Sequence, residues 1–111
     1  MHVQIITFHL ADMTEEGYRE ACDGFTAAYA ELPGLLAKIW LADPAANTYG
    51  GVYLFRDRAA MEACVASDLF ATVAAFPHFA DIRSSDFAVY DDLTRLTQPG
   101  LEVLTGSMAS G

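Results

Sequence analysis

A chain of 111 residues with 15 acidic and 6 basic side chains, formal net charge −9, is long enough for one domain with a real core. It is too acidic to bind nucleic acid or an anionic membrane surface, since both demand a basic face that releases counterions. Its composition, 53% hydrophobic and 12% aromatic, is more apolar than one small monomer hides, so a homodimer is expected.

The first predicted element runs from His2 to Leu10. Val3, Ile5, Thr7 and His9 alternate with Gln4, Ile6, Phe8 and Leu10, so both faces have something to bury and the strand should be central. Thr14 is a candidate N-cap, with Glu15 and Glu16 in the first turn favoured by the helix dipole. Tyr18, Cys22, Phe25, Tyr29 and Leu32 then recur at helical spacing up to Pro33-Gly34.

A β-hairpin follows. Leu35 to Leu41 alternates, with Leu35, Ala37, Ile39 and Leu41 on one face and Lys38 and Trp40 on the other. The turn residues Asp43-Pro44-Ala45-Ala46-Asn47 return the chain through Tyr49 to Phe55. The face with Leu35, Ala37, Ile39 and Leu41 reads as the core side, and the face with Lys38, Trp40, Tyr53 and Phe55 as the functional one. Gly50-Gly51 lacks a phosphate-loop context and reads instead as a strand bend or a close backbone approach.

Asp57 is a second candidate N-cap. Ala60, Met61, Cys64 and Val65 form an apolar stripe, and Ser67-Asp68 interrupts or bends this helix before Leu69, Phe70 and Val73. Ile82 to Asp91 alternates as a fourth strand, placing Phe87 and Val89 opposite Ser84, Asp86, Ala88 and Tyr90. Residues 1–97 form the predicted domain and 98–111 a C-terminal tail.

The order βαββαβ calls for an α+β, ferredoxin-like subunit in which helices cover one face of a four-stranded antiparallel sheet. On this reading the uncovered face carries Trp40, Tyr53 and Phe55, and a second copy covers it across a two-fold axis, leaving a small-molecule cavity beneath the helices. Cys22 and Cys64 have neither metal-ligand nor Cys-x-x-Cys spacing and read as buried thiols. Neither a leader peptide nor a membrane-length apolar run of ~20 residues stands out, so a cytoplasmic location is expected.

The segments Pro33-Gly34-Leu35-Leu36-Ala37-Lys38-Ile39-Trp40 and Gly50-Gly51-Val52-Tyr53-Leu54-Phe55-Arg56-Asp57 resemble the signature of the YdhR-type monooxygenase family, in the dimeric α/β-barrel superfamily that also holds the antibiotic-biosynthesis monooxygenases. The resemblance runs from Val3 to about Leu96 and implies a homodimer and an oxygenase. Related quinone-forming enzymes oxidise phenolic substrates with oxygen and no metal, flavin or haem, so no cofactor and no metal are expected.

Two functions follow as expectations. One is a cofactor-independent monooxygenase acting on a small aromatic or phenolic substrate; the other is a non-catalytic binder of a hydrophobic metabolite. For the enzyme, His9 is the candidate base and Lys38 the cation that holds the substrate anion. Trp40 and Tyr53 are walls, with Thr7, Phe55, Asp86 and Tyr90 as further substrate-binding candidates. Each has a structural alternative: interface core for Trp40, an edge lysine with its head in water for Lys38, hydrogen bonding for His9, and simple exposure for Asp86 and Tyr90. His78, in Phe76-Pro77-His78-Phe79, reads as loop packing.

Overall fold

The computed structural model describes residues 1–98. Its elements are β1 (His2–Leu10), α1 (Glu15–Ala30), β2 (Leu35–Asp43), β3 (Thr48–Phe55), α2 (Arg58–Val65), α3 (Asp68–Ala74), β4 (Phe79–Ala88) and α4 (Asp91–Leu96), with one turn of 3-10 helix, Pro44–Ala46, between β2 and β3. The four strands form one antiparallel sheet in the order β2-β3-β1-β4, the ferredoxin-like arrangement, and β1 is central. The proposed tail lies almost wholly outside the described residues. No helix among them is long and apolar enough to cross a membrane.

Local chemistry sets the helix ends. The Thr14 hydroxyl accepts from the Gly17 N–H at 3.0 Å and the Asp57 carboxylate from the Ala60 N–H at 2.8 Å, each satisfying an otherwise orphaned donor. Ser67 does the same for Phe70, so the expected interruption is a true break into α2 and α3. In the hairpin turn Asp43 caps the 3-10 turn and Asn47 takes the left-handed conformation at its end. At Gly50 the backbone of β3 lies so close to β1 that a Cβ there would be driven into the Ile6 carbonyl oxygen. The close approach expected of Gly50-Gly51 is therefore real, and side-chain bulk is what it excludes.

The structure reverses the assignment of sheet faces. Residues Lys38, Trp40, Tyr53 and Phe55 lie on the face that α1 and α2 cover, in register with Gln4, Ile6 and His2 of β1. Phe55 is 0% exposed and Tyr53 7%, whereas Ile39 is 53% and Phe87 56% exposed on the opposite, open face. Alternation divides side chains between two faces but does not say which one the helices take. Here long aromatic side chains reach the helix layer, where Tyr18 and Tyr29 of α1 meet them: Tyr18 lies 5.0 Å from Tyr49 and Tyr29 5.7 Å from Tyr53, ring centre to ring centre. Phe8 stacks on Phe79 at 4.1 Å and completes the same layer. The shorter aliphatic chains of Val3, Ile5, Ile39, Val52 and Leu54, joined by Phe87, are left facing outward.

The last strand also differs from expectation. It starts at Phe79, paired with Leu10, and ends at Ala88; a register shift between Thr7 and His9 accompanies the left-handed Asp81, and that irregularity hid the first turn of alternation. Tyr90 falls beyond the strand at the N-cap position of α4.

Candidate functional site

Lys38 is the only lysine in the chain. It projects from the edge strand β2 into the layer between the sheet and α1, and its Nζ lies 3.4 Å from the ring centre of Trp40, 3.5 Å from that of Tyr29 and 4.7 Å from that of Tyr53. Three aromatic faces from three elements thus surround one amine. The room for it comes from Gly51, directly across from Trp40, where a Cβ would stand 3.1 Å from Lys38 Cε. No carboxylate of the described residues pairs with this amine.

Burial disfavours the ammonium and pushes the Lys38 pKa down to about 7. The ring faces pull the other way, each by on the order of 0.5–2 kcal/mol. The amine is therefore poised between its two forms near neutral pH. Its neighbours are not: burial pushes the phenols of Tyr18, Tyr29 and Tyr53 and the thiols of Cys22 and Cys64 up, so they stay protonated at pH 7. Both cysteines are free thiols; Cys64 is buried as expected, whereas Cys22, on the side of α1 that borders the cavity, is only partly so.

Trp40, 39% exposed, forms a shared wall. On one side is a cavity of about 360 Å³ between α1 and the β2–β3 hairpin, lined by Tyr18, Cys22, Thr26, Trp40 and Tyr49 with Arg19 at its mouth. On the other is one of about 240 Å³ that Lys38 itself lines with Tyr29, Leu35 and Leu36. Both lie within the subunit beneath α1, so a pocket exists without a second sheet closing over it.

Of the residues singled out in the sequence, the structure brings together Lys38, Trp40 and Tyr53. Phe55 is core behind Tyr53, with ring centres 6.3 Å apart. Asp86 shares Lys38's cross-sheet row, Lys38-Tyr53-Gln4-Asp86, but three strand spacings separate them, about 14 Å. Its Oδ2 instead lies 2.7 Å from Nε2 of His2, a buried histidine. Thr7 and His9 are on the open face, away from the amine. His9 Nδ1 lies 2.8 Å from the Asn47 carbonyl oxygen, while Asn47's amide group bonds both the N–H and C=O of Leu10, so His9 helps clasp the hairpin turn to β1. Tyr90 is 78% exposed and remote from the cage. His78 Nδ1 lies 2.8 Å from the Ala11 carbonyl oxygen and its ring packs on Phe76, which is the loop packing expected of it.

Sequence reasoning missed Tyr29 as a site residue, because its helical spacing accounted for it as core. The signal that would have found the cage is the solitary lysine of the chain set between apolar neighbours. Among the described residues no group of three or more His, Cys, Asp or Glu side chains gathers as a metal site would require.

No curated protein matches the chain. Solved structures share its fold at low identity. A putative antibiotic biosynthesis monooxygenase from Deinococcus radiodurans superposes with a TM-score of 0.67 at 14% identity over 80% of this chain and 92% of that one. NE2512, a protein of unknown function from Nitrosomonas europaea, gives 0.69 at 13% identity over 80% and 88%. The N63A mutant of SnoaB, a cofactor-independent oxygenase from Streptomyces nogalater, gives 0.64 at 14% identity over 80% and 93%. The family model of the putative mono-oxygenase ydhR matches residues 3–99, and the chain belongs to that family.

Proposed function

We propose that this protein is a cofactor-independent monooxygenase whose substrate is a small, electron-rich aromatic molecule bound beneath α1, with Lys38 as the base. The observation that carries the reading is the position of the Lys38 amine, without an ion-pair partner among the described residues, ringed by aromatic faces and lining a cavity in a member of a monooxygenase family. The neutral amine removes a proton from an activated C–H or O–H of the substrate, and the ammonium so formed holds the resulting anion within a dry site. That anion is electron-rich enough to reduce dioxygen directly. For a ring methylene the balance is CH2 + O2 → C=O + H2O: the carbon loses two C–H bonds, one oxygen atom is retained, and the other leaves as water. Trp40 and Tyr29, which line the cavity beside Lys38, pack against the substrate, while Tyr53 backs the amine from the sheet.

Oxygen-electrode assays with phenols and anthrones and no added cofactor test this. Lys38→Met should lose on the order of a hundredfold or more in uptake, the scale of removing a base or an anion-holding donor. Uptake by the variant equal to that of the wild type would refute the role of Lys38. Tight binding of these compounds with no uptake would point instead to a metabolite-binding protein.

The assembly belongs to the same proposal. A second copy covers the open sheet face, where Ile5, Ile39 and Phe87 are exposed beside Val3, Val52 and Leu54. A charge placed there would have to be buried unpaired. Ile39→Asp should therefore sediment as a monomer at micromolar concentration where the wild type is a dimer; a monomeric wild type would refute the pairing.

A further inference from the structure

The cage does more than hold a base. A lysine usually keeps its ammonium in water or against a carboxylate, yet the single lysine of this chain lies half-buried between the sheet and α1, its amine over aromatic rings and with no ion-pair partner among the described residues. An amine held this way is a nucleophile as well as a base, since desolvation beside apolar walls is one of the ways proteins activate a lysine toward carbonyl carbon. The cavity that Lys38 lines gives a ligand about 240 Å³ beside it, and Trp40 and Tyr29, whose ring planes meet at 88° with centres 6.0 Å apart, offer flat surfaces for an arene.

We propose that Lys38 captures small aromatic aldehydes as a reversible imine, making this cavity a covalent carbonyl-binding site. The lone pair of Nζ attacks the aldehyde carbon to give a carbinolamine. The C–O bond then breaks, the oxygen leaves as water with both amine protons, and a C=N bond remains: R–CHO + Lys38–NH2 → R–CH=N–Lys38 + H2O. No oxidant, reductant or cofactor enters. The buried phenol of Tyr29 and the thiols of Cys22 and Cys64 remain protonated at neutral pH, so they neither compete as anionic nucleophiles nor tie up the amine as an ion pair. Because burial leaves about half of the Lys38 amines neutral at pH 7, against fewer than about one in a thousand for an ordinary lysine, the site reacts at a pH where surface lysines do not.

The test uses the full chain, kept anaerobic so that oxygen chemistry plays no part. Benzaldehyde is added at pH 7 with sodium cyanoborohydride to trap the imine, and the adduct is read by intact mass and peptide mapping. The chain offers only one other aliphatic amine, the α-amino group, which serves as an internal reference. One adduct per chain should map to Lys38, form on the order of tenfold or more faster than on the same lysine in urea-unfolded protein, and reach a rate plateau just above neutral pH. Butyraldehyde should label it several-fold more slowly than benzaldehyde, and Trp40→Ala should narrow that gap.

Labelling confined to the α-amine, or a Lys38 rate no greater in the folded than in the unfolded chain, would overturn the proposal. Equal rates for the two aldehydes would overturn its aromatic selectivity. Where Trp40→Ala does not fold, the two-aldehyde comparison on the wild type still decides the point. The oxygenase reading is judged separately by oxygen uptake, so failure of either leaves the other standing.

Discussion

Replacing Lys38 by methionine should change the pH dependence of stability in a calculable way. An ordinary lysine has a pKa of 10.5, and burial brings Lys38 to about 7. Between those values the unfolded chain binds the proton and the folded chain does not, so the unfolding free energy of the wild type rises with pH, by up to about 1.4 kcal/mol per unit. Below pH 7 both states are protonated and the cost of burying the charge is felt in full; above 10.5 both are neutral and the cost is gone. From pH 7 to about 8.5 the linkage gives a rise of about 1.5 kcal/mol, or nearer 1 because water still reaches part of this half-buried side chain. Methionine fills the same slot with an unbranched apolar chain and does not titrate. Urea unfolding of both proteins across this window, read as the difference between them, cancels the contributions they share. The two thiols begin to ionise in the unfolded chain within this window and, being raised in the folded one, act in the opposite sense; both proteins carry them, so the difference removes the part they share. Lys38→Met should be the more stable protein at pH 7, with an advantage that shrinks as pH rises. A difference that stays flat would refute the reasoning and mean that the ring faces keep the amine as an ammonium throughout.

His9→Ala should leave oxygen uptake within about threefold of wild type, because His9 lies on the face away from Lys38 and bonds the Asn47 carbonyl; the loss should appear in stability, at about 1 kcal/mol for one hydrogen bond, measured by urea unfolding. A hundredfold loss of uptake with the fold intact would return the role of base to His9. Gly50→Ala should prevent folding or cost at least about 3 kcal/mol, since the new methyl meets the Ile6 carbonyl at a central strand pair, and circular dichroism with thermal melts would show it. A melting temperature within a few degrees of wild type would mean that β1 and β3 part easily.

The residues that set element ends were legible because their effects are local. Thr14, Asp57 and Ser67 each act on an N–H three residues on, and the stripe from Tyr18 to Leu32 shows in spacing alone. What could not be read was the side of the sheet that the helices choose. Leu35, Ala37, Ile39 and Leu41 look like core and Lys38 and Trp40 look like surface when the hairpin is taken alone. The choice is made by α1, whose Tyr18 and Tyr29 need rings beneath them, and that is a tertiary fact. The same error carried His9 into the site with Lys38: His9 lies on the opposite face and five residues along β1 from Gln4, the residue in Lys38's cross-sheet row, so the two cannot share a cavity. Lys38, Trp40 and Tyr53 were placed on one face, as the structure has them, because β2 and β3 pair in register, and cross-strand pairing follows from a hairpin whichever face is buried.

The position of Lys38 on an edge strand explains how a half-buried amine can meet a ligand. Among the described residues β2 has β3 as its only neighbour in the sheet, so within them side chains alone close the groove between β2 and α1. Trp40 is the largest of these and remains partly exposed, with a cavity on each side of it. A central strand would bury the lysine more deeply and shut off access, and an outward-facing position would let water restore its ordinary basicity. The pairing of Gly51 with Trp40 resolves the remaining conflict: by removing a side chain directly opposite the indole, it lets the four-carbon stem of Lys38 lie down between the rings rather than push them apart. Its substitution should therefore disturb the amine as well as the sheet: a Cβ 3.1 Å from Lys38 Cε is relieved when the flexible stem swings out to solvent and carries the reactive nitrogen away from its walls, whereas the Ile39 carbonyl oxygen and Tyr53 ring, each 3.3 Å from it, have less room to give.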